Sequence, residues 1–361
     1  MKLVGKTILI ISPQQWEGLK LSKHHYAEEL NRLGNTVYFL PPPDKNLNDI
    51  KIHPLENGIN LIKHGHRFPY KLFFHSKRTY FFLLKNHIKN ILKHINKIDI
   101  VWSFDGLRFL DLNLFNADFK IYHPVDIQLD SYFLKPAETA NITISLTDKI
   151  LQQFSTHKNT AKIGHGVAES FLNIYDEDYT IGKTLNFCYA GNLTMHGVDF
   201  KEIIKIITEH PDINFHFIGP YNNNSEENEE YISFLKNNNN VTLYGLVKPE
   251  KMQALFKQMD GFLLCYDPKK EQNGGTNSHK ILEYLSTGKV VISSPIVEYF
   301  STTGLLEMSK TNPFHKTFYN VIENINDFNS RKNMLYRHQY AKENTYKNQI
   351  LKIENHITNY K

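Results

Sequence analysis

The stretch GGTNSHKILEYLSTGKVVIS, residues 274–293, is the most informative part of the chain. It begins with two glycines, where a backbone can approach a ligand closely. A short helix with Ile281 and Leu285 on its apolar side follows, and Gly288 ends this helix before a buried strand. Ser278 is the predicted N-cap, and the free N–H groups of the next turn form an anion site. The pattern predicts a βα unit with a ligand-binding loop.

Lys280 and Glu283 are three residues apart on this helix, so they share one face. A cation beside a helix N-terminus and a carboxylate one turn later suit a nucleoside diphosphate. The carboxylate would accept hydrogen bonds from the ribose diol. On spacing alone, an ordinary βα unit with an exposed Lys and Glu that bind nothing explains the pattern equally well.

Length and composition describe a globular chain with room for two domains. Its 361 residues allow two cores of ordinary size, and its 41% hydrophobic and 22% charged content is typical of a soluble protein. No apolar run approaches the roughly 20 residues that span a bilayer, and the N-terminus enters a strand without a signal segment. Cys188 and Cys265 lie in predicted buried strands and are expected to be reduced core thiols. The expected location is the cytoplasm.

Strands and helices alternate in both halves of the sequence, which predicts two parallel, doubly wound sheets. The predicted strands of the first half cover residues 7–12, 36–40, 98–104, 119–122 and 141–146. Those of the second half cover residues 185–190, 214–219, 241–244, 261–266 and 290–293. The predicted division is a first domain at 1–168, a linker at 169–184, a second domain at 185–330 and a helical tail at 331–361.

The run SHKILEYL, residues 278–285, resembles the donor-binding helix of GT-B glycosyltransferases, above all the retaining family 4 (glycosyltransferase group 1) enzymes. Glu283 matches the second of the two glutamates of the family, which binds the donor ribose, whereas Gly275 stands in the place of the first. The segment YAGNL at 189–193 resembles the first strand and loop of the donor domain. The segment IGHGV at 163–167 resembles the end of the acceptor domain.

This resemblance implies an α/β architecture of two doubly wound Rossmann-like domains facing a central cleft. The first would bind the acceptor and the second the nucleotide sugar, with the C-terminal helix crossing back to the first. The co-substrate would be a UDP- or GDP-linked sugar, and neither another cofactor nor a metal is expected. The predicted donor-binding residues are Gly191, Asn192, His196, Gly219, Gly275, Thr276, Asn277, Ser278, Lys280 and Glu283.

The phosphate-binding groups differ from those of the family. The family usually supplies an Arg and a Lys just after the first strand of the donor domain, but residues 191–197 read GNLTMHG. Lys280, the helix N-terminus after Gly275, and His196 would then have to neutralise the leaving phosphates. Either the phosphate clamp is a different one, or the activity is weak or altered.

Candidate catalytic and acceptor residues lie in the first half. Retaining enzymes of this fold use no obvious protein nucleophile, whereas an inverting reaction needs a general base in the acceptor domain. The predicted catalytic residues are His123, Asp126 and His165, and the predicted acceptor-side residues are Trp16, Gly18 and His24. The alternatives are a packed His123, a capping Asp126, a Trp16 packed on its own domain and a surface His24.

A basic region distinguishes this chain from a generic two-domain enzyme. Residues 57–98 contain no acidic residue, and aromatic residues alternate with the basic ones. Leu84, Ile88, Ile91 and Ile95 follow helical spacing beside a parallel stripe of lysines, a pattern that suits an anionic membrane surface. The alternative is a stripe that faces the sheet, with solvated lysines. The predicted membrane patch consists of Lys71, Lys77, Arg78, Lys85, Lys89 and Lys93.

Three functional hypotheses follow from the sequence. The leading one is a retaining glycosyltransferase that extends a cell-envelope saccharide or a lipid-linked acceptor, in the cytoplasm or peripheral at the inner face of the membrane. The second is a nucleotide-sugar epimerase or hydrolase of the same fold. The third is a non-catalytic membrane or nucleic-acid binding protein that uses the basic patch 63–97. The third leaves the donor loop unexplained, so no nucleic-acid partner is expected.

Overall fold

The chain forms two compact units in a computed structural model. The structure describes residues 1–18, 20–65, 71–127, 130–157, 159–222, 225–270 and 277–358. The first unit consists of Met1–Gly166 together with Tyr346–Lys361, and the second consists of Val167–Thr345.

The first unit is built on a sheet with the strand order β3-β4-β2-β1-β5-β6-β7-β8. Every neighbouring pair is parallel except β3 and β4, which pair antiparallel at the edge. Its strands are β1 (Thr7–Ile11), β2 (Thr36–Leu40), β3 (Lys51–Pro54), β4 (Asn60–Lys63), β5 (Ile100–Ser103), β6 (Phe119–Tyr122), β7 (Ile142–Ser145) and β8 (Thr160–Lys162).

Helices cover both faces of this sheet because alternate residues of its central strands are apolar on both sides. Ile8 and Ile10 face one cluster of buried residues, whereas Leu9 and Ile11 face the other. Short 3₁₀ turns lie at Leu112–Phe115 and Ser131–Leu134. The helices before the second unit are α1 (Ser22–Arg32), α2 (Leu72–His75), α3 (Lys77–Leu92), α4 (Lys135–Thr139) and α5 (Asp148–Gln152).

The second unit has a sheet with the strand order β11-β10-β9-β12-β13-β14, parallel throughout. Its strands are β9 (Asn186–Ala190), β10 (Asn214–Ile218), β11 (Val241–Gly245), β12 (Gly261–Leu264), β13 (Val290–Ser293) and β14 (Glu307–Met308). Its helices are α6 (Glu169–Leu172), α7 (Phe200–Glu209), α8 (Glu226–Asn237), α9 (Pro249–Lys257), α10 (Lys280–Leu285), α11 (Phe314–Glu323), α12 (Ile325–Phe328) and α13 (Arg331–Glu343).

In sequence order, the second sheet reads 3-2-1-4-5-6, which is the doubly wound order of dinucleotide-binding folds. The predicted α/β class with two Rossmann-like sheets is therefore confirmed. In such sheets ligands bind outside the carboxyl ends of the strands, at the point where the strand order reverses. That point lies between β9 and β12 in the second unit and between β1 and β5 in the first.

The last helix, α14 (Tyr346–Thr358), belongs to the core of the first unit. Tyr346, Ile350 and Ile353 are buried there with residues of β1 and β5. The N-terminal amino group of Met1 donates to Thr358 Oγ1 at 2.7 Å. The preceding helix α13 is part of the second unit, so the chain returns to the first unit between these two helices.

The two cysteines are free and buried, as predicted. Cys188 lies on β9 and Cys265 directly follows β12. Burial raises the pKa of both thiols, which makes them inert core residues. Within the described part of the chain, no helix is both long and apolar enough to cross a membrane.

Candidate functional site

Helix α10 is fixed to the carboxyl end of β9 in the second unit. The Tyr284 hydroxyl accepts from the Ala190 N–H at 2.8 Å and donates to the Ala190 carbonyl at 3.2 Å. The Tyr284 ring also stacks on Phe262 of β12, with 4.4 Å between the ring centroids. These contacts hold α10 beside the point where the strand order reverses.

Lys280 and Glu283 form a buried ion pair on α10. Lys280 Nζ lies 3.3 Å from Glu283 Oε2, and the two residues are 8% and 7% exposed. His279 Nε2 lies 4.0 Å from the other carboxylate oxygen of Glu283. Burial raises the pKa of Glu283, an effect that the nearby Lys280 only partly offsets. The alternative from the sequence, an exposed and solvated Lys–Glu pair, is wrong because both side chains pack into the unit.

Two glycines let the loops after β9 and β10 approach each other closely. Gly219 has a φ of +135°, and a Cβ at this position would lie 1.9 Å from the Gly191 carbonyl oxygen. The Gly191 N–H donates to the Ile218 carbonyl at 2.8 Å. Gly191 and Gly219, both predicted donor-site residues, therefore shape the backbone at the carboxyl edge of the sheet.

The loop after Gly191 exposes polar groups at the same edge. Asn192 and His196 are exposed, and Asn192 Oδ1 accepts from the Thr194 N–H at 3.1 Å. The Thr194 hydroxyl in turn accepts from the Asn222 N–H at 3.0 Å. The loop thus has a fixed backbone and exposes the Asn192 and His196 side chains, which suits contact with a ligand.

Four predicted residues precede α10. Gly275 and Thr276 lie outside the described residues, whereas Asn277 and Ser278 are half-buried. The predicted N-cap is wrong by one residue, because α10 begins at Lys280 and His279 is its N-cap. Ser278 Oγ nevertheless accepts from the Lys280 N–H at 3.3 Å.

A second buried lysine lies at the carboxyl edge of the first sheet. Lys23, in the first turn of α1, is only 2% exposed and donates to Gln14 Oε1 in the loop after β1. Burial lowers its pKa to about 8, although Asp126 and Asp105 act in the opposite direction. Lys23 was absent from the predicted site residues.

His123 lies beside Lys23 as a neutral imidazole. Its Nδ1 accepts from Trp102 Nε1 at 3.2 Å, so Nε2 carries the proton. Nε2 is buried and has no hydrogen-bond partner among the described residues. Burial, together with the nearby His165 and Lys23, lowers the pKa of His123 to about 3. His123 is thus suited to donate a hydrogen bond at neutral pH rather than to accept a proton.

The other predicted residues of the first unit have different surroundings. Asp126 is exposed, and His165 is half-buried, with its carbonyl accepting from Gln349 Nε2 at 2.8 Å. Trp16 packs on Phe39 of β2 at a centroid distance of 4.9 Å, which matches the alternative that placed it on its own domain. Gly18 is exposed with a φ of +99°.

The surface interpretation of His24 is wrong. His24 is fully buried and stacks on Phe39 with 5.2 Å between the centroids. Its Nδ1 accepts from the Leu21 N–H at 3.0 Å, and its Nε2 lies 2.9 Å from the Gln15 carbonyl. Because both ring nitrogens contact the backbone, His24 stabilises the start of α1. Neither nitrogen remains available for a hydrogen bond to a sugar acceptor.

Helix α3 carries four residues of the predicted membrane patch, Lys77, Arg78, Lys85 and Lys89, but its apolar stripe belongs to the core. Leu84, Ile88 and Ile91 are buried in the same cluster as Leu9 and Val101. The sheet-facing alternative is therefore correct for these residues, and they cannot insert into a membrane. The predicted patch residues are all exposed: Lys71, Lys77, Arg78, Lys85, Lys89 and Lys93.

Several residues that fix the strand ends at these two sites were not predicted from the sequence. Tyr284 was seen only as part of a helix motif, and Asp105 and Arg108 were not noticed. Arg108 donates to the Asp105 carboxylate at 2.5 Å and to the Ser12 carbonyl at 3.1 Å, which fixes the loop after β1. The only local signal for such residues is their position just after a predicted strand.

Comparison with known proteins indicates which class of protein has this fold and this kind of site. Residues 184–314 match the family model described as glycosyl transferases group 1. No curated protein is significantly similar to the chain in sequence.

Several solved structures share the fold over nearly their whole length. Sucrose-phosphate synthase from Thermosynechococcus elongatus is 14% identical, with a TM-score of 0.71 and 98% of each chain covered. HepE of Anabaena, solved with UDP and glucose, is 12% identical, with a TM-score of 0.66 and coverage of 98% of this chain and 99% of that one. The lipopolysaccharide outer core galactosyltransferase WaaB is 15% identical, with a TM-score of 0.64 and the same coverage.

These findings confirm the predicted resemblance, the GT-B fold and the predicted enzyme class. The second unit carries a group 1 glycosyltransferase domain. The match lies within the second unit, which is similar to group 1 glycosyltransferases, and the solved structures share the fold of the chain.

Proposed function

We propose that the chain transfers a sugar, with retention of configuration, from a UDP- or GDP-linked donor to a cell-envelope saccharide or lipid-linked acceptor. The observation that carries this proposal is the buried Lys280–Glu283 pair, which Tyr284 holds at the carboxyl end of β9. Lys280 supplies positive charge for the diphosphate, and Glu283 accepts from the ribose hydroxyls. Without a nucleotide the two side chains neutralise each other.

The loop after β9 completes the donor site in this proposal. It contains no Arg or Lys between Gly191 and Gly197. Lys280 is therefore the cation that would stabilise the leaving diphosphate, and Asn192 and His196 would add polar contacts. Because Gly191 and Gly219 have no side chains, the loops after β9 and β10 pack closely and leave space for the donor. A side chain at Gly219 would displace the loop after β9.

The state of His123 favours retention over inversion. An inverting transfer needs a general base with a pKa near the working pH. The pKa of His123 is lowered to about 3 by burial, and its Nε2 already carries a proton. His123 is therefore assigned as a hydrogen-bond donor to a sugar hydroxyl, and Asp126 is the carboxylate that an inverting mechanism would have to use.

Two comparisons support the finer assignment. The structure of HepE contains UDP and glucose, which favours a uridine nucleotide as the first donor to test. WaaB is a lipopolysaccharide galactosyltransferase, which favours a cell-envelope acceptor. We also assign a peripheral position at the inner face of the membrane, through the exposed residues of α3.

The membrane contact rests on one face of α3. Arg78, Phe82, Lys85 and Lys89 are spaced by three or four residues and are all exposed, with Phe82 64% exposed. We call these four residues the basic aromatic face. Each Lys or Arg near an anionic surface contributes about 1 kcal/mol, and the aromatic ring adds a contact at the headgroup level.

The proposal is tested by ligand-induced thermal shifts with UDP, GDP and their sugar conjugates. At 100 times the dissociation constant, a nucleotide should stabilise the wild type by about 2.7 kcal/mol. Glu283→Gln should abolish the shift because an amide is a weaker partner for the ribose diol than a carboxylate. The matched control is Glu209→Gln, which removes an exposed carboxylate 2.7 Å from Lys205 and should leave the shift unchanged.

The same protein then distinguishes the reaction classes. Incubation with the responding nucleotide sugar and an anionic lipid acceptor should yield a glycosylated product. Release of free sugar or an epimerised nucleotide sugar would favour the hydrolase or epimerase instead. The donor site is refuted if no nucleotide shifts the wild type, or if Glu283→Gln shifts as the wild type does.

A further inference from the structure

We propose that the first unit binds the hydrocarbon chain of a phosphate-bearing lipid in a cavity between α2 and the 3₁₀ turn Ser131–Leu134. The cavity has a volume of about 340 Å³. This inference deepens the proposed function, on which it rests, by naming the class of the lipid-linked acceptor and the place that receives its chain. The cavity lies within the first unit, whereas the donor residues of α10 belong to the second.

Aromatic and aliphatic side chains form the walls of the cavity. Phe74, Leu107, Tyr132 and Phe133 line it. The rings of Phe74 and Tyr132 are 5.2 Å apart between centroids. Phe74 is 59% exposed, so its ring borders the side of the cavity that is open to solvent.

Hydrogen bonds make this wall a preformed structure. The Tyr132 hydroxyl donates to the Leu107 carbonyl at 2.7 Å. The Tyr122 hydroxyl donates to the Phe133 carbonyl at 2.7 Å, which ties the same turn to the end of β6. A cavity whose lining is held by such bonds keeps its shape without a ligand, as small-molecule sites usually do.

The charged groups of the lining suit an anionic headgroup. Lys71 and His75 also line the cavity, and both are exposed. The carboxylate of Asp130 lies there too, but its Oδ1 accepts from the Tyr132 N–H at 2.9 Å and caps the 3₁₀ turn. Lys71 can therefore approach a phosphate while the carboxylate remains engaged with the backbone.

The lining of the cavity includes Phe74 and His75 of α2, and the basic aromatic face lies on the next helix, α3. Helices α2 and α3 are consecutive, and the Lys77 ammonium at the start of α3 lies 5.4 Å from the Phe73 ring centroid. Exposed Phe74 and Phe82 therefore lie on two consecutive helices that also carry exposed basic residues. Apolar and basic groups together complement a lipid with an anionic headgroup, and neither group alone would specify it.

The test uses dodecyl phosphate below its micelle concentration, measured by isothermal titration calorimetry with the full chain. We expect saturable binding by the wild type and no binding of inorganic phosphate or of dodecyl maltoside at the same concentrations. Phe74→Ser and Lys71→Glu should each weaken binding at least fivefold. The matched control is Lys347→Glu with Leu351→Ser, an exposed basic and apolar pair on α14 of the same unit, which should bind as the wild type does.

A cavity-filling variant separates the cavity from surface electrostatics. Leu107→Trp should abolish dodecyl phosphate binding, yet keep the association with phosphatidylglycerol vesicles that the basic aromatic face provides. The inference is overturned if the wild type does not bind dodecyl phosphate, or if Leu107→Trp and Phe74→Ser bind it like the control. Equal binding of dodecyl maltoside would also overturn it.

Nucleotide thermal shifts keep the two proposals distinct. Every variant of the cavity should show the same shift with the nucleotide as the wild type, because α10 lies in the second unit. Loss of lipid binding with an intact nucleotide shift therefore concerns the cavity alone. A missing nucleotide shift in the wild type, with lipid binding intact, would instead contradict the donor site.

Discussion

The two units each bury a lysine at the carboxyl edge of a parallel sheet, but they stabilise it differently. In the second unit Lys280 lies 3.3 Å from the Glu283 carboxylate, and burial raises the pKa of the carboxylate. In the first unit Lys23 donates to the amide oxygen of Gln14, and burial lowers the pKa of the amine to about 8.

This difference determines how each buried lysine can respond to a bound ligand. A buried ion pair is already neutralised, so a nucleotide must replace the contact between Lys280 and Glu283 by contacts of its own. A buried amine beside an amide keeps an unbalanced charge, which a ligand or a proton loss would relieve.

Gly219→Ala should destabilise the second unit by about 4 kcal/mol. The new Cβ would lie 1.9 Å from the Gly191 carbonyl oxygen, and the φ of +135° is strained for any side chain. Thermal unfolding with hydrogen exchange of the β9 and β10 segments measures the loss.

Gly164→Ala in the first unit is the control for this variant. No heavy atom lies within 4 Å of a Cβ placed there, so its stability should change by less than about 0.5 kcal/mol. Equal losses of stability in the two variants would show that the backbones at Gly191 and Gly219 are not closely packed.

Lys23→Met should stabilise the chain by up to about 3 kcal/mol at pH 7, since it removes a buried charge. The pKa of Lys23 is lowered from 10.5 to about 8, so between these pH values the unfolded chain binds more protons than the folded one. Wild-type stability therefore rises with pH in this window, and the advantage of Lys23→Met shrinks from pH 8 to pH 10.5. Chemical denaturation across this range measures the difference.

Lys149→Met in the same unit is a suitable control, because this lysine lies on an exposed part of α5. Its effect on stability should be small. If the stability advantage of Lys23→Met over the wild type stayed constant up to pH 10.5, it would contradict the lowered pKa of the buried Lys23 amine.

Removing one hydroxyl from each unit should have opposite effects. Tyr284→Phe deletes both hydrogen bonds to Ala190 and should cost about 1–2 kcal/mol, together with weaker nucleotide binding. Tyr26→Phe deletes a buried hydroxyl that has no partner within the described residues, so it should be neutral or stabilising by about 1 kcal/mol. Thermal unfolding of the two variants side by side measures both changes. A loss of stability in Tyr26→Phe but not in Tyr284→Phe would contradict the expected roles of the two hydroxyls.

The central strands could be predicted from the sequence because burial on both faces leaves a continuous apolar run. Thr7–Ile11 and Val290–Ser293 are examples, and each lies where the pattern placed it. Four strands were missed, the edge strands β3, β8 and β14 and the neighbouring strand β4, since they are short and only partly buried. Their pairing depends on neighbours distant in sequence, which no local pattern records.

The site could be predicted only where its residues share one element. Lys280 and Glu283 are three residues apart, so their proximity follows from helix geometry alone. The contact of Lys23 with Gln14 and that of Tyr284 with Ala190 depend on how helices pack against strand ends. His24 was misjudged for the same reason, because a histidine at a helix start reveals its burial only through tertiary packing.

The position of α14 reverses the usual order in which domains mature during translation. The first unit is encoded on both sides of the second, and its core needs Tyr346, Ile350 and Ile353. A ribosome therefore completes Val167–Thr345 before it releases the helix that finishes the unit begun first. The nascent chain must hold an unfinished amino-terminal sheet for the time needed to synthesise a whole domain, a period in which chaperones would find exposed apolar surface.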